Sequence, residues 1–222
     1  MAKAQEHRKL RIMHLGRVDY EKALDLQEKY AEDIRENRAS EVLLLLEHPH
    51  VLTLGYSGKR DNILVSDEEL RRREVKIYTI RRGGDVTYHG FGQLVGYPIL
   101  RFKPGDRGVK RLVRTLEDVL IRTLEDFSIT AARKDNLIGV WVGDDKIASI
   151  GVGISRWTSR HGFALNINTD LSYFDLIVPC GHQGISMTSM ARILGKEIPM
   201  QEVIDRLTFH FLQCFKMEAD PT

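Results

Sequence analysis

The chain of 222 residues holds only two cysteines, Cys180 and Cys214, and no C-x-x-C pair. That argues against a disulfide framework or a thiolate zinc cluster, so each thiol is either core filler or a chemical group. No His or carboxylate spacing suits a metal site, and no metal is expected. Long apolar runs are missing as well. The longest, Val42 to Leu46, is far short of the about 20 residues that a bilayer-spanning helix needs. The stretch Met1 to Arg11 is polar, includes Glu6 and has no apolar signal core, so the expectation is a cytoplasmic protein with no membrane partner. Charge of one sign is also scarce. With 33 basic and 31 acidic side chains the net charge is +2, too weak a field for a nucleic-acid binder. Two local clusters, Arg71-Arg72-Arg73 and Arg81-Arg82, read as the solvated ends of a helix and a strand, or as a landing patch for a small acidic partner.

Apolar residues make up 42% of the chain, enough for one core. A single domain over 1–222 is expected, with a short N-terminal extension at 1–9. Arg11 to Leu15 reads as a strand, followed by a helix capped by Asp19 that runs to about Asn37. Val42 to Leu46 suits a strand buried on both faces. Ser66 with Glu69 forms a capping box for a short helix. Val75–Ile80 and Leu94–Leu100 read as strands, and Val109 to Phe127 as a long amphipathic helix. Gly143-Asp144-Asp145 turns a hairpin whose second arm is Lys146–Ser155. His161–Asn168 is a strand, Thr169–Ser189 a loop, and Met200–Phe215 a final helix. About four helices and seven strands, mixed without strict alternation, give an α+β (α/β) fold with one central mixed sheet flanked by helices.

Three segments can carry chemistry. The stretch Arg82-Gly83-Gly84-Asp85-Val86-Thr87-Tyr88-His89, continuing to Gln93, is a glycine-rich connection. Its backbone can approach a ligand closely, and its N–H groups can hold a carbonyl oxygen. A tight turn alone explains the glycines, but Arg82, Thr87, Tyr88 and His89 in the same loop favour a site. Gly151-x-Gly153 lacks a third glycine, so no dinucleotide fingerprint is present. In the second segment, strict alternation puts Lys146 on one face with Ala148, Ile150, Val152 and Ile154. A lysine there is partly desolvated, or else snorkels out at the hairpin mouth. Ser149 and Gly151 take the other face and leave room beside the backbone. The third segment is Pro179-Cys180-Gly181, where proline and glycine shape an exposed turn around a thiol. A nearby ammonium would make that thiol a nucleophile. Cys214 lies on the patterned last helix beside Phe211 and Phe215 and reads as core. His89 and His161 read first as structural hydrogen-bonding groups.

Together these segments resemble the octanoyltransferases of lipoate biosynthesis, a family similar in fold to biotin and lipoate protein ligases. The stretches that carry the likeness are RRGGDVTYHGFGQLVGYP (Arg81 to Pro98), KIASIGVGISRWTSRHGFALNI (Lys146 to Ile167) and VPCGHQGISMTSM (Val178 to Met190). Phe91 stands where the family usually has proline. The resemblance implies that Cys180 is the acyl-thioester nucleophile and Lys146 the lysine that activates it and moves protons. It implies substrate-binding segments at Arg82 through His89, at Ser149, Ile150 and Gly151, and at Gly162, Phe163 and Ala164, with His161 as a supporting group. The implied donor is octanoyl-acyl carrier protein. The implied acceptors are lipoyl domains of 2-oxoacid dehydrogenases and the glycine cleavage H protein. No cofactor and no ATP are expected, because passing an acyl group from thioester to amide is downhill. Backbone N–H groups of Gly83, Gly84 or Cys180 are the candidates for holding the oxyanion. Rival readings are an ATP-dependent lipoate ligase, an amidotransferase between lipoyl proteins, and a non-catalytic acyl-binding protein.

Overall fold

The computed structural model describes residues 8–103, 108–179 and 184–221. In chain order the elements are β1 (Arg8–Arg17), α1 (Tyr20–Arg35), β2 (Glu41–Glu47), β3 (Val51–Leu54), α2 (Asp67–Arg72), β4 (Lys76–Thr79), β5 (Val86–His89) and β6 (Gln93–Ile99). Then come α3 (Gly108–Glu125), β7 (Ala132–Lys134), β8 (Leu137–Val142), β9 (Asp145–Ser155), β10 (Thr158–Asn166), α4 (Met190–Leu194), α5 (Met200–Phe215) and β11 (Met217–Ala219). Short 3-10 turns lie at Arg60–Asn62 and Leu171–Leu176.

The large sheet has the order β11-β1-β2-β6-β10-β9-β8-β7. Its β11, β1 and β2 run parallel, and the β2–β6 and later pairings are antiparallel, so it is mixed as expected. Helices cover both faces. Leu43 and Leu45 of β2 join a core with Leu112, Leu116 and Leu120 of α3 and with Leu207 and Phe211 of α5. Val42, Leu44 and Leu46 point the other way, into a core with Ala23, Ala31 and Ile34 of α1. That is why β2 is a continuous apolar run: each alternate side chain has a helix to bury against.

The structure departs from the single-sheet expectation. A second sheet, β4-β3-β5, lies outside the large one. Its strand β5 falls inside the predicted glycine loop, where Val86–His89 pair antiparallel with β3. The predicted loop Thr169–Ser189 likewise contains the turn Leu171–Leu176, whose Phe174 and Leu176 pack with Leu52, Val86 and Tyr88 as a separate small core. Asp19 stands at the start of α1, but its side chain makes no capping bond. Ser66 Oγ does accept the Glu69 N–H at 3.2 Å. The Glu69 carboxylate does not complete the box. It accepts from Arg72 and Arg73 instead. Two of the three arginines in that basic cluster are thus tied to their own helix. No helix of the described residues is long and apolar enough to cross a membrane.

Candidate active site

A cavity of about 300 Å³ opens between the small sheet and the β9–β10 part of the large one. The segment Arg82–Asp85 and β5 form one wall, and β9 and β10 form the opposite wall. Val109 and Val113 of α3 and residues 136–138 close the side. The cavity gathers nearly all of the predicted site: Arg82 through Thr87, His89, Lys146, Ser149, Ile150, Gly151, His161, Gly162, Phe163 and Ala164. Tyr88 is the exception in β5. Alternation turns it to the other side, into the small core, where its hydroxyl bonds His50 Nδ1 at 2.7 Å. Tyr20 and Tyr97 also line the cavity, although the sequence offered no more than helix or strand periodicity for them, as does Ile185 of the predicted loop Thr169–Ser189. Cys180 lies outside the described residues.

Lys146 reaches this cavity by a device that strict alternation misses. Across β8 and β9, Val140 pairs with Ala148 and Trp141 with Lys146, so one step on β8 spans two on β9. The extra residue, Ile147, is a β-bulge and reverses the facing of everything before it. Ile147 and Ala148 therefore enter the large core with Val140. Lys146 turns to the opposite face, with Gly139 and Trp141, and not to the face of Ala148 and Ile150. Its side chain is 3% exposed. Its ammonium lies 5.4 Å from the centre of the Trp141 ring. Its backbone is fixed by residues 186–188: the Lys146 N–H donates to Ser186 O at 2.8 Å, and the Thr188 N–H donates to Lys146 O at 3.0 Å.

The glycine segment is braced from within. Arg82 is buried, and its Nη2 donates to Thr53 O at 2.8 Å and Thr53 Oγ1 at 2.9 Å, while Nη1 donates to Gly83 O at 3.0 Å. The Gly83 N–H already donates to Val152 O at 3.1 Å, which removes it from the oxyanion candidates. Asp85 ties the segment to Val178 through Asn62. Its carboxylate accepts from Asn62 Nδ2 at 2.8 Å, and Asn62 O accepts the Val178 N–H at 2.8 Å. One described flank of 180–183 is therefore bonded directly to the lining residue Lys146, and the other is linked through Asn62 to the lining residue Asp85.

A chain of amides sets the His89 tautomer. Asn166 Nδ2 donates to Thr188 O at 3.0 Å, so Asn166 Oδ1 is the acceptor for Gln93 Nε2 at 2.9 Å. Gln93 Oε1 must then accept from His89 Nδ1 at 2.8 Å, which leaves the lone pair on Nε2. His48 is fixed in the same way. Its Nδ1 donates to Val18 O at 2.7 Å, so Nε2 accepts from the Tyr97 hydroxyl at 2.8 Å. Burial, then the nearby His48, holds His89 down to about 3. Burial holds His48 down to about 4, and burial followed by Arg82 does the same for His161.

All three rings are neutral at pH 7. In the unfolded chain each takes up a proton near pH 6.5. Below that pH the unfolded state binds more protons, so stability should fall as pH drops from about 6.5 towards 4. Urea midpoints measured across that window should show the decline, and His89→Gln should flatten part of it. A midpoint constant from pH 7 to 5 would contradict buried, neutral imidazoles.

Among the described residues, no group of three or more His, Cys, Asp or Glu could hold a metal ion. The lipoyl protein ligase A/B catalytic domain family matches residues 19–212. A curated octanoyltransferase of Solibacter usitatus is 51% identical over 210 residues, covering 95% of this chain and 94% of its own length. One from Caldicellulosiruptor bescii is 46% identical over 208 residues, covering 93% and 91%. Among solved structures, the bipartite lipoate protein ligase of Thermoplasma acidophilum is alike in fold. It has a TM-score of 0.76 at 17% identity, over 97% of this chain and 87% of that one. The chain thus belongs to the lipoyl protein ligase A/B catalytic-domain family. It is an acyltransferase, and the members it is similar to along nearly its whole length are octanoyltransferases.

Proposed function

We propose that the chain moves an octanoyl group from octanoyl-acyl carrier protein, through a thioester on Cys180, to a lysine of a lipoyl domain. The observation that carries this reading is the placement of the described residues on either side of 180–183. Val178 is held through Asn62 to Asp85, residues 186–188 are bonded to Lys146, and Ile185 lines the same cavity as Lys146.

In the first step the Lys146 amine takes the Cys180 proton, and the thiolate attacks the donor carbonyl. The carbon–sulfur bond to the carrier breaks, and the carrier thiol leaves with a proton from the Lys146 ammonium. In the second step the acceptor lysine, as free amine, attacks the Cys180 thioester. Its carbon–nitrogen bond forms, the Cys180 sulfur leaves, and the surplus amine proton passes to Lys146. Residues 82–87, His89, 149–151 and 162–164 hold the acyl chain, and His161 supports the inner wall. The cavity walls keep water from the thioester, which would otherwise hydrolyse.

Intact-mass measurement after mixing with octanoyl-acyl carrier protein, without ATP, tests this directly. An added octanoyl mass, labile to hydroxylamine and missing in Cys180→Ser, is expected. No adduct under these conditions, with turnover appearing once ATP and free octanoate are supplied, would favour the ligase reading instead.

A further inference from the structure

We infer that His161 closes the far end of the acyl cavity and thereby sets the longest chain it accepts. This rests on the acyl-transfer reading above. Lys146 and Val152 mark the two ends of the cavity on β9, and His161 of β10 is the residue paired with Val152. The Lys146 side chain runs inward along β9: a Cβ on Gly139 would lie 3.2 Å from its Nζ and 2.6 Å from the Ala148 carbonyl oxygen, so the ammonium stands level with Ala148. Four residues of strand, on the order of 13 Å, then separate it from Val152. An extended eight-carbon chain, with C–C bonds of about 1.5 Å, spans on the order of 10 Å. A chain that starts from a sulfur beside the Lys146 ammonium and lies over Ser149 and Gly151 ends next to Gly162 and His161.

Beyond His161 is a second cavity of about 540 Å³, whose apolar lining includes Leu24, Ile80 and Ile154. Among the described residues, His161 is the one that lines both cavities. Its backbone is unusual for a strand interior. His161 has φ 57, in the left-handed region, and its N–H is taken by the buried Gln27 side chain at 2.7 Å. A residue with a Cβ adopts that conformation at a cost, so the ring is kept between the cavities by strain that α1 holds in place. The ring is buried and neutral at pH 7, a wall that a terminal methyl group can rest against.

The left-handed backbone also makes the test clean, because glycine and asparagine both tolerate it. Turnover should be measured with octanoyl-, decanoyl- and dodecanoyl-carrier for wild type, His161→Gly and His161→Asn. The dodecanoyl-to-octanoyl ratio of kcat/KM should rise about tenfold or more in His161→Gly, and less in His161→Asn. An unchanged ratio in a folded His161→Gly protein would overturn the gate. Calorimetric binding of octanoate and dodecanoate to the same proteins reads the gate without chemistry. If the wild type fails to accept octanoyl groups from the carrier, the acyl-transfer reading falls while the binding comparison still decides the gate.

Discussion

Replacing Lys146 with alanine should lower the rate of acyl transfer by about 10²- to 10⁴-fold, the usual weight of a positioned acid–base group. The argument is one of placement. The side chain is 3% exposed, its amine faces the cavity, and its own N–H and C=O are bonded to Ser186 and Thr188, a few residues on from Cys180 in the sequence. No other lysine lines the cavity among the described residues. The alanine variant also leaves a void, so Lys146→Met is the better probe: it keeps most of the volume and removes the amine. Single-turnover acylation of the protein by octanoyl-carrier, followed by mass, should be slowed similarly in both variants, with urea midpoints close to wild type for the methionine form. A methionine variant that acylates at the wild-type rate would remove Lys146 from the mechanism.

Gly139→Ala should be nearly as damaging to activity, although residue 139 carries no reactive group. Gly139 has φ 132, and an added Cβ would lie 2.5 Å from Lys146 Cε and 2.6 Å from the Ala148 carbonyl oxygen. The lysine can swing away, but the carbonyl belongs to the bulged strand and cannot. Overpacking of about 1–3 kcal/mol and backbone strain of about 1–3 kcal/mol point to a total loss of about 2–6 kcal/mol, with Lys146 pushed off its place over Trp141. Gly143→Ala is the control. Its φ is 57, and nothing lies within 4 Å of the added methyl, so strain alone applies. Urea unfolding and turnover should separate the two variants clearly. If they behave alike, the contact with Lys146 does not constrain the site.

Much of this arrangement could be read in the residues. The unbroken apolar run Val42 to Leu46 announced a strand covered on both sides, and α1 and α3–α5 supply the two covers. The stripe of α5, Val203, Leu207 and Phe211, is buried as its spacing implied. The three predicted binding segments do converge on one cavity. What the sequence hid has physical causes. Alternation assumes a regular strand, and a single inserted residue at Ile147 turns Lys146 to the other face. Glycines imply freedom, so β5 was concealed inside a segment read as loop. Tyr20 and Tyr97 carry ordinary helix and strand periodicity. Only the packing of α1 and β6 around His48 and His89 shows that their hydroxyl ends belong to a site. The short elements β7, β11 and α4 are too brief for periodicity to mark them.

The bulge at Ile147 also bears on which length changes the chain can tolerate. Residues Gly143 and Asp144 are exposed at the hairpin tip, and an insertion or deletion there lengthens or shortens a turn without altering any facing. Between Lys146 and Ala148 a deletion changes packing and not facing. Deleting Ile147 would restore a regular strand in which Lys146 still pairs with Trp141 and still faces the cavity, because it would then alternate directly with Ala148. What such a deletion removes is a fully buried side chain of the large core. A variant shortened by that one residue should therefore keep its lysine on the cavity side and lose stability instead.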